Sequence, residues 1–157
     1  MQVTLPNEIL LAEVGAMLSE GKDVVLMTKG WSMNPTIVGD RDSVLLRKTG
    51  SPQVGDIVLA RLSPKHYVLH RIVAIDAEKV TLMGDGNLTG KEHCTAGDIL
   101  GTVQRVLPPR GKGFVPGKAS LWRKTGPLTR RIVLGIYRRS ILKILMLGAK
   151  DRKQSHI

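Results

Sequence analysis

The sequence predicts a mainly β protein with a short N-terminal helix and a basic, helical C-terminal tail. Three observations carry that expectation. Most apolar residues fall in short β-rich runs separated by Gly, Pro, Asp and Asn. Only the leading segment and the tail carry helical texture. Charge is segregated: residues 1–109 hold 11 Lys+Arg and 12 Asp+Glu, a balance of −1, whereas residues 110–157 hold 13 and 1, a balance of +12. With 157 residues and 42% hydrophobic side chains the chain suffices for one core. The expected organisation is an N-terminal helix over 1–21, a β core over 22–109 and a basic helical tail over 110–157.

In the first element, "NEILLAEVGAMLSEG", Ile9, Leu10, Val14, Met17 and Leu18 form an apolar stripe, with Asn7 as cap and Gly21 as stop. Strands are then expected in "DVVLMT", "SVLLRK", "DIVLARL", "HYVLHRIVAID", "KVTLMG" and "DILGTVQRVL". The turns between them are "VGDRD", "GSPQVGD", "IDAEK" and "GDGN". Strands of this length and spacing point to an all-β core. "LPPRGKGFVPGK" reads as a linker. In "LTRRIVLGIYRRSILKILMLGAKDRK" the uncharged apolar runs reach only about six residues, too few to span a bilayer. The same stretch is too apolar for a disordered tail. A helix lying on a membrane surface suits both facts; a helix packed on the core with its basic side in water is the alternative.

The composition excludes several classes. One cysteine, Cys94, allows neither an intrachain disulfide nor a cysteine-based metal cluster, and is expected to be a small half-buried thiol. The four histidines lack ligand-like spacing, so neither a metal nor a cofactor is expected. The N-terminus lacks the pattern of a secretory signal, and no stretch reaches the roughly 18 apolar residues of a spanning helix. These features place the protein, as an expectation, in the cytoplasm or peripherally on the inner face of the membrane.

Chemistry centres on "KGWSMNPTIVGDRD". Ser32 becomes a nucleophile only with a base in reach, a group that orients the base, and donors for an oxyanion. His70, in the apolar run "YVLHRIV", is a candidate base; strand alternation puts His66, Val68 and His70 on one face, so His66 competes. "GDGN" by itself reads as a tight hairpin turn.

In order, "GWSMNPTI", "VGDIVLARL", "YVLHRIVAID" and "MGDGN" resemble the boxes of the signal peptidase I and SOS-repressor autoprotease superfamily, serine peptidases of the S24 and S26 type, over about residues 22 to 107. The resemblance implies that family's β core, with Ser32 as nucleophile. It puts His70 where leader peptidases and repressors use lysine, which is similar to the endoplasmic-reticulum and archaeal signal peptidase branch. It implies Asp85 as the acid that holds the imidazole, with Asp56 of "GDIV" as runner-up in a structural turn. Gly30, Trp31, Met33 and Pro35 would line the oxyanion and substrate site. Gly30 stands where many signal peptidases carry Ser or Thr, and Trp31 where that branch often has Gly. The N-terminal membrane anchor of signal peptidases is not seen in the sequence.

The expected function is therefore a serine endopeptidase that cleaves a precursor or leader peptide through an acyl-enzyme. A non-catalytic module of the same fold, binding an extended peptide by strand addition, is the alternative. A polyanion-binding protein acting through its tail is another. With five aromatic residues there is little for base stacking, so the tail's expected partner is an anionic membrane surface rather than a specific nucleic acid.

Overall fold

The computed structural model describes residues 7–118, 126 and 128–140. The chain forms two compact units, one through Ser120 and one from Leu121.

The first unit opens with α1 (Asn7–Ser19). It ends where Gly21, at φ +79°, turns the chain: Gly21 N–H donates to the Leu18 carbonyl and Lys22 N–H to that of Met17. This paired closure is the Schellman arrangement that glycine permits without a Cβ clash. The buried face of α1 is narrower than the predicted stripe. Val14, Gly15 and Leu18 are buried and Leu11 packs on the core, while Ile9, Leu10 and Met17 are exposed. Gly15 lets α1 approach β7 closely: a Cβ there would stand 3.3 Å from Leu100 Cδ1, and the leucine would have to give by a few tenths of an ångström.

Seven strands follow: β1 (Val24–Met27), β2 (Ser43–Arg47), β3 (Ile57–Ser63), β4 (His66–Asp76), β5 (Lys79–Met83), β6 (Glu92–Cys94) and β7 (Ile99–Leu107). All pair antiparallel, in the order β1-β2-β7-β3-β4-β5-β6. The core is mainly β, as predicted. Six strands match the predicted runs; β6 lies in "EHC", which carries no alternating apolar pattern.

Both faces of β3 are buried. Ile57 and Leu59 join Val44, Leu46, Val103 and Val106 under α1, whereas Val58 and Ala60 join Val68, Ile72, Val80, Leu82 and Cys94. Period-2 alternation thus feeds two cores from one strand, and β6 packs across onto β3.

The expected linker is bound to this unit instead. Val106 and Phe114 exchange backbone hydrogen bonds of 2.8 and 3.0 Å, and Arg105 donates to the Gly113 carbonyl. Lys118 pairs with Asp56 and with the Gln53 side chain. In the second unit residues 128–140 are helical (α2); the rest of the predicted tail helix lies outside the described residues.

Candidate active site

Ser32 sits in a loop between β1 and β2 whose neck is tightly closed. Thr28 donates its N–H (3.0 Å) and its hydroxyl (2.7 Å) to the Asp42 carbonyl, and Asp40 N–H returns to the Thr28 carbonyl. The buried Asp42 carboxylate accepts from Val38 N–H and Arg41, so the acids of "VGDRD" include a structural one. Inside the loop, Gly30 has a positive φ and its backbone lies where any side chain on Gly39 would have to be.

A second loop braces the first from behind. Gly86 N–H donates to the Ser32 carbonyl at 2.8 Å, and a Cβ at Gly84 would collide with that same carbonyl. The glycines of "MGDGN" therefore let one backbone press against another, which a hairpin turn alone does not require. Between them, Asp85 is 2% exposed and takes both arms of Arg71: Nε to Oδ1 and Nη2 to Oδ2, each at 2.8 Å. Thr36, from the Ser32 loop, donates to Asp85 Oδ2 at 2.6 Å. Arg71 spends Nη1 on the carbonyls of Gly55 and Gly117, both at 2.7 Å. This buried guanidinium ties β4 to three distant chain segments, with its charge met by a bidentate carboxylate.

His70 is buried on β4, while the competing His66 is exposed at the start of that strand. His70 Nδ1 lies 2.9 Å from Glu92 Oε2. The geometry corrects the expected partner: the carboxylate on the imidazole comes from β6, and Asp85 is engaged with Arg71 and Thr36. The register explains how Glu92 reaches so far. β5 ends at Met83, paired with Arg71, so it does not run alongside His70, and the third strand supplies the side chain. Asp56, the runner-up, accepts from Gln53 N–H and pairs with Lys118 in the turn entering β3.

Ser32 and His70 line one cleft of about 260 Å³. Gly30 and Met33 line it with them. Trp31 and Pro35 are exposed, Pro35 following a cis peptide bond, and neither is among the cleft-lining residues described. The remaining walls are mostly aliphatic, from α1 (Leu10, Leu11), β1 (Leu26, Met27) and β4 (Leu69). Asn7 and Lys29, hydrogen-bonded to each other, add polar groups. Among the described residues no cluster of His, Cys, Asp and Glu side chains forms a metal site. Cys94, two residues beyond Glu92, is buried, and burial pushes its thiol up to about 11, the Asp98 charge adding to the effect.

This sequence matches the model of Peptidase S24-like proteins over residues 2–104, two thirds of its length. The chain belongs to the Peptidase S24-like family. The match takes in α1 and the strands through most of β7, so it also covers the helix that the sequence motifs had left outside. No curated protein matches the chain. Family membership assigns it, at the coarse level, to the peptidases and autoprotease-type proteins.

Proposed function

We propose that this chain is a serine endopeptidase that cleaves a precursor or leader peptide, with Ser32 as nucleophile and His70 as general base. The observation that supports this most directly is that Ser32 and His70 line one cleft while Glu92, outside its lining, hydrogen-bonds the imidazole. With Nδ1–H donated to the carboxylate, Nε2 carries the lone pair that accepts the serine proton. Ser32 attacks the scissile carbonyl, and the imidazolium formed is stabilised by Glu92. It then protonates the leaving amine, and water releases the acyl group by the same route reversed. The oxyanion would be met by the Ser32 N–H, whose backbone the "MGDGN" loop holds in place.

β1 is an edge strand that contributes Leu26 and Met27 to the cleft, so an extended peptide can add to it by main-chain hydrogen bonds. The same surface suits a module that binds peptides without cutting them. Fluorophosphonate labelling followed by peptide mapping separates the two readings. Labelling at Ser32 that vanishes in His70→Ala supports the enzyme; tight peptide binding without labelling supports the module. In a cleavage assay, Ser32→Ala and His70→Ala should each lose about four orders of magnitude or more in kcat, because the members of such a unit act together.

A further inference from the structure

The peptidase reading leaves the second unit unused. In α2, Leu128, Ile132, Val133 and Ile136 are all exposed, Leu128 at 70% and Ile136 at 62%. At 100° per residue these four positions fall within about 140° of the helix circumference, an aliphatic sector that Thr129 and Ser140 share and that Arg139 enters beside Leu128. Arginines border it. Arg131 and Arg138 lie along one margin, Arg139 overlaps that edge, and Arg130 follows the opposite margin. Arg131, Arg138 and Arg139 are exposed. No carboxylate occurs between residues 110 and 150, so the chain supplies these cations with no local counter-charge.

Aliphatic groups at the centre and guanidiniums at the margins match a bilayer interface. The stripe enters the acyl boundary while the arginine stems reach back to phosphate oxygens. Nucleic acid fits the charge but not the stripe, because a phosphate backbone leaves those aliphatic groups in water. Among the described residues no helix is long and apolar enough to cross a membrane, and the four arginines of α2 suit an interfacial position in reach of headgroups. We propose that α2 is an interfacial helix that docks this protein on a bilayer bearing anionic headgroups.

This surface is independent of the catalytic assignment, and its test needs no substrate. The full chain is floated with phosphatidylcholine vesicles with and without phosphatidylglycerol. It is compared with Ile132→Ser/Ile136→Ser and Arg138→Glu/Arg139→Glu, each checked for an unchanged core by thermal unfolding. Binding should require phosphatidylglycerol, and each double variant should bind about tenfold more weakly or worse. The aliphatic pair decides, since basic residues elsewhere adsorb to any polyanion. As a second measurement, an environment-sensitive dye on Ile136→Cys, with Cys94 protected by burial, should shift to the blue on anionic vesicles. The proposal is overturned if the wild-type chain binds duplex DNA but not vesicles, or if Ile132→Ser/Ile136→Ser binds vesicles as well as wild type. An unshifted dye, or a dimer broken by the same substitutions without vesicle binding, overturns it equally.

Discussion

Two carboxylates within reach of neighbouring β4 residues do different work, and single substitutions should separate them. Under the proposed mechanism Glu92→Gln removes the charge that faces the imidazolium formed when His70 takes the serine proton. It should lower kcat by about 10- to 1,000-fold with KM little changed, less than for a fully buried triad acid because Glu92 is partly solvated. Asp85→Asn instead leaves the buried Arg71 guanidinium without its anion and should cost about 3–5 kcal/mol in urea unfolding. If Asp85→Asn lowers kcat while stability is unchanged, the roles are reversed. Cys94 gives a pH signature. Its folded-state pKa is raised to about 11 from an ordinary 9.0. Below pH 9 the thiol is protonated whether folded or not. Between 9 and 11 the unfolded chain loses its proton first, so stability falls as pH rises, by about 2–3 kcal/mol in all. Unfolding free energies of wild type against Cys94→Ala across that range should diverge with this sign.

At the level of elements, the Ser32 loop is shaped by what its neighbours lack. A methyl group at Gly84 meets the Ser32 carbonyl, and one at Gly39 meets Gly30, backbone in both cases. Gly84→Ala should therefore destabilise the fold by about 1–3 kcal/mol and reduce turnover further, by shifting Ser32 relative to His70. Steady-state kinetics at a temperature where the variant remains folded measures the second effect. The same loops show what was legible beforehand. Six strands, α1 and its glycine stop could be found because apolar periodicity and turn chemistry are local. The helix face was misjudged because Ile9, Leu10 and Met17 share the periodicity of Val14 and Leu18, and only the packing of Leu100 and the sheet decides which side is covered. β6 was missed because three residues in "EHC" are too short and too polar to show a pattern. Glu92 was lost with it, since no spacing announces a carboxylate that reaches past the end of an intervening strand.

For the whole molecule, the division after Ser120 matters more than the charge break near residue 110. Basic composition begins in a segment whose backbone belongs to the core, through Phe114 and the Gly117 carbonyl that Arg71 uses. A chain ending at residue 109 should melt earlier than one ending at 120, by about 1–3 kcal/mol for the acceptor removed from a buried guanidinium, with the strap's packing lost in addition. Equal thermal stability for both truncations would show that the strap is ornamental. Charge composition could not reveal this, because backbone groups of Gly113, Phe114 and Gly117 do much of the binding, with Lys118 adding its pair to Asp56.

The sheet order carries one more consequence. β7, the last strand among the described residues, stands between β2 and β3, so the hairpin that holds Ser32 and the meander that holds His70 share a sheet through it, and loop hydrogen bonds from Gly86 and Thr36 then clasp the two together. During synthesis the two halves of the cleft have no shared sheet until β7 leaves the ribosome. Any chemistry that the proposed Ser32–His70 pair performs should therefore begin only once the sheet is complete, a form of latency set by chain order.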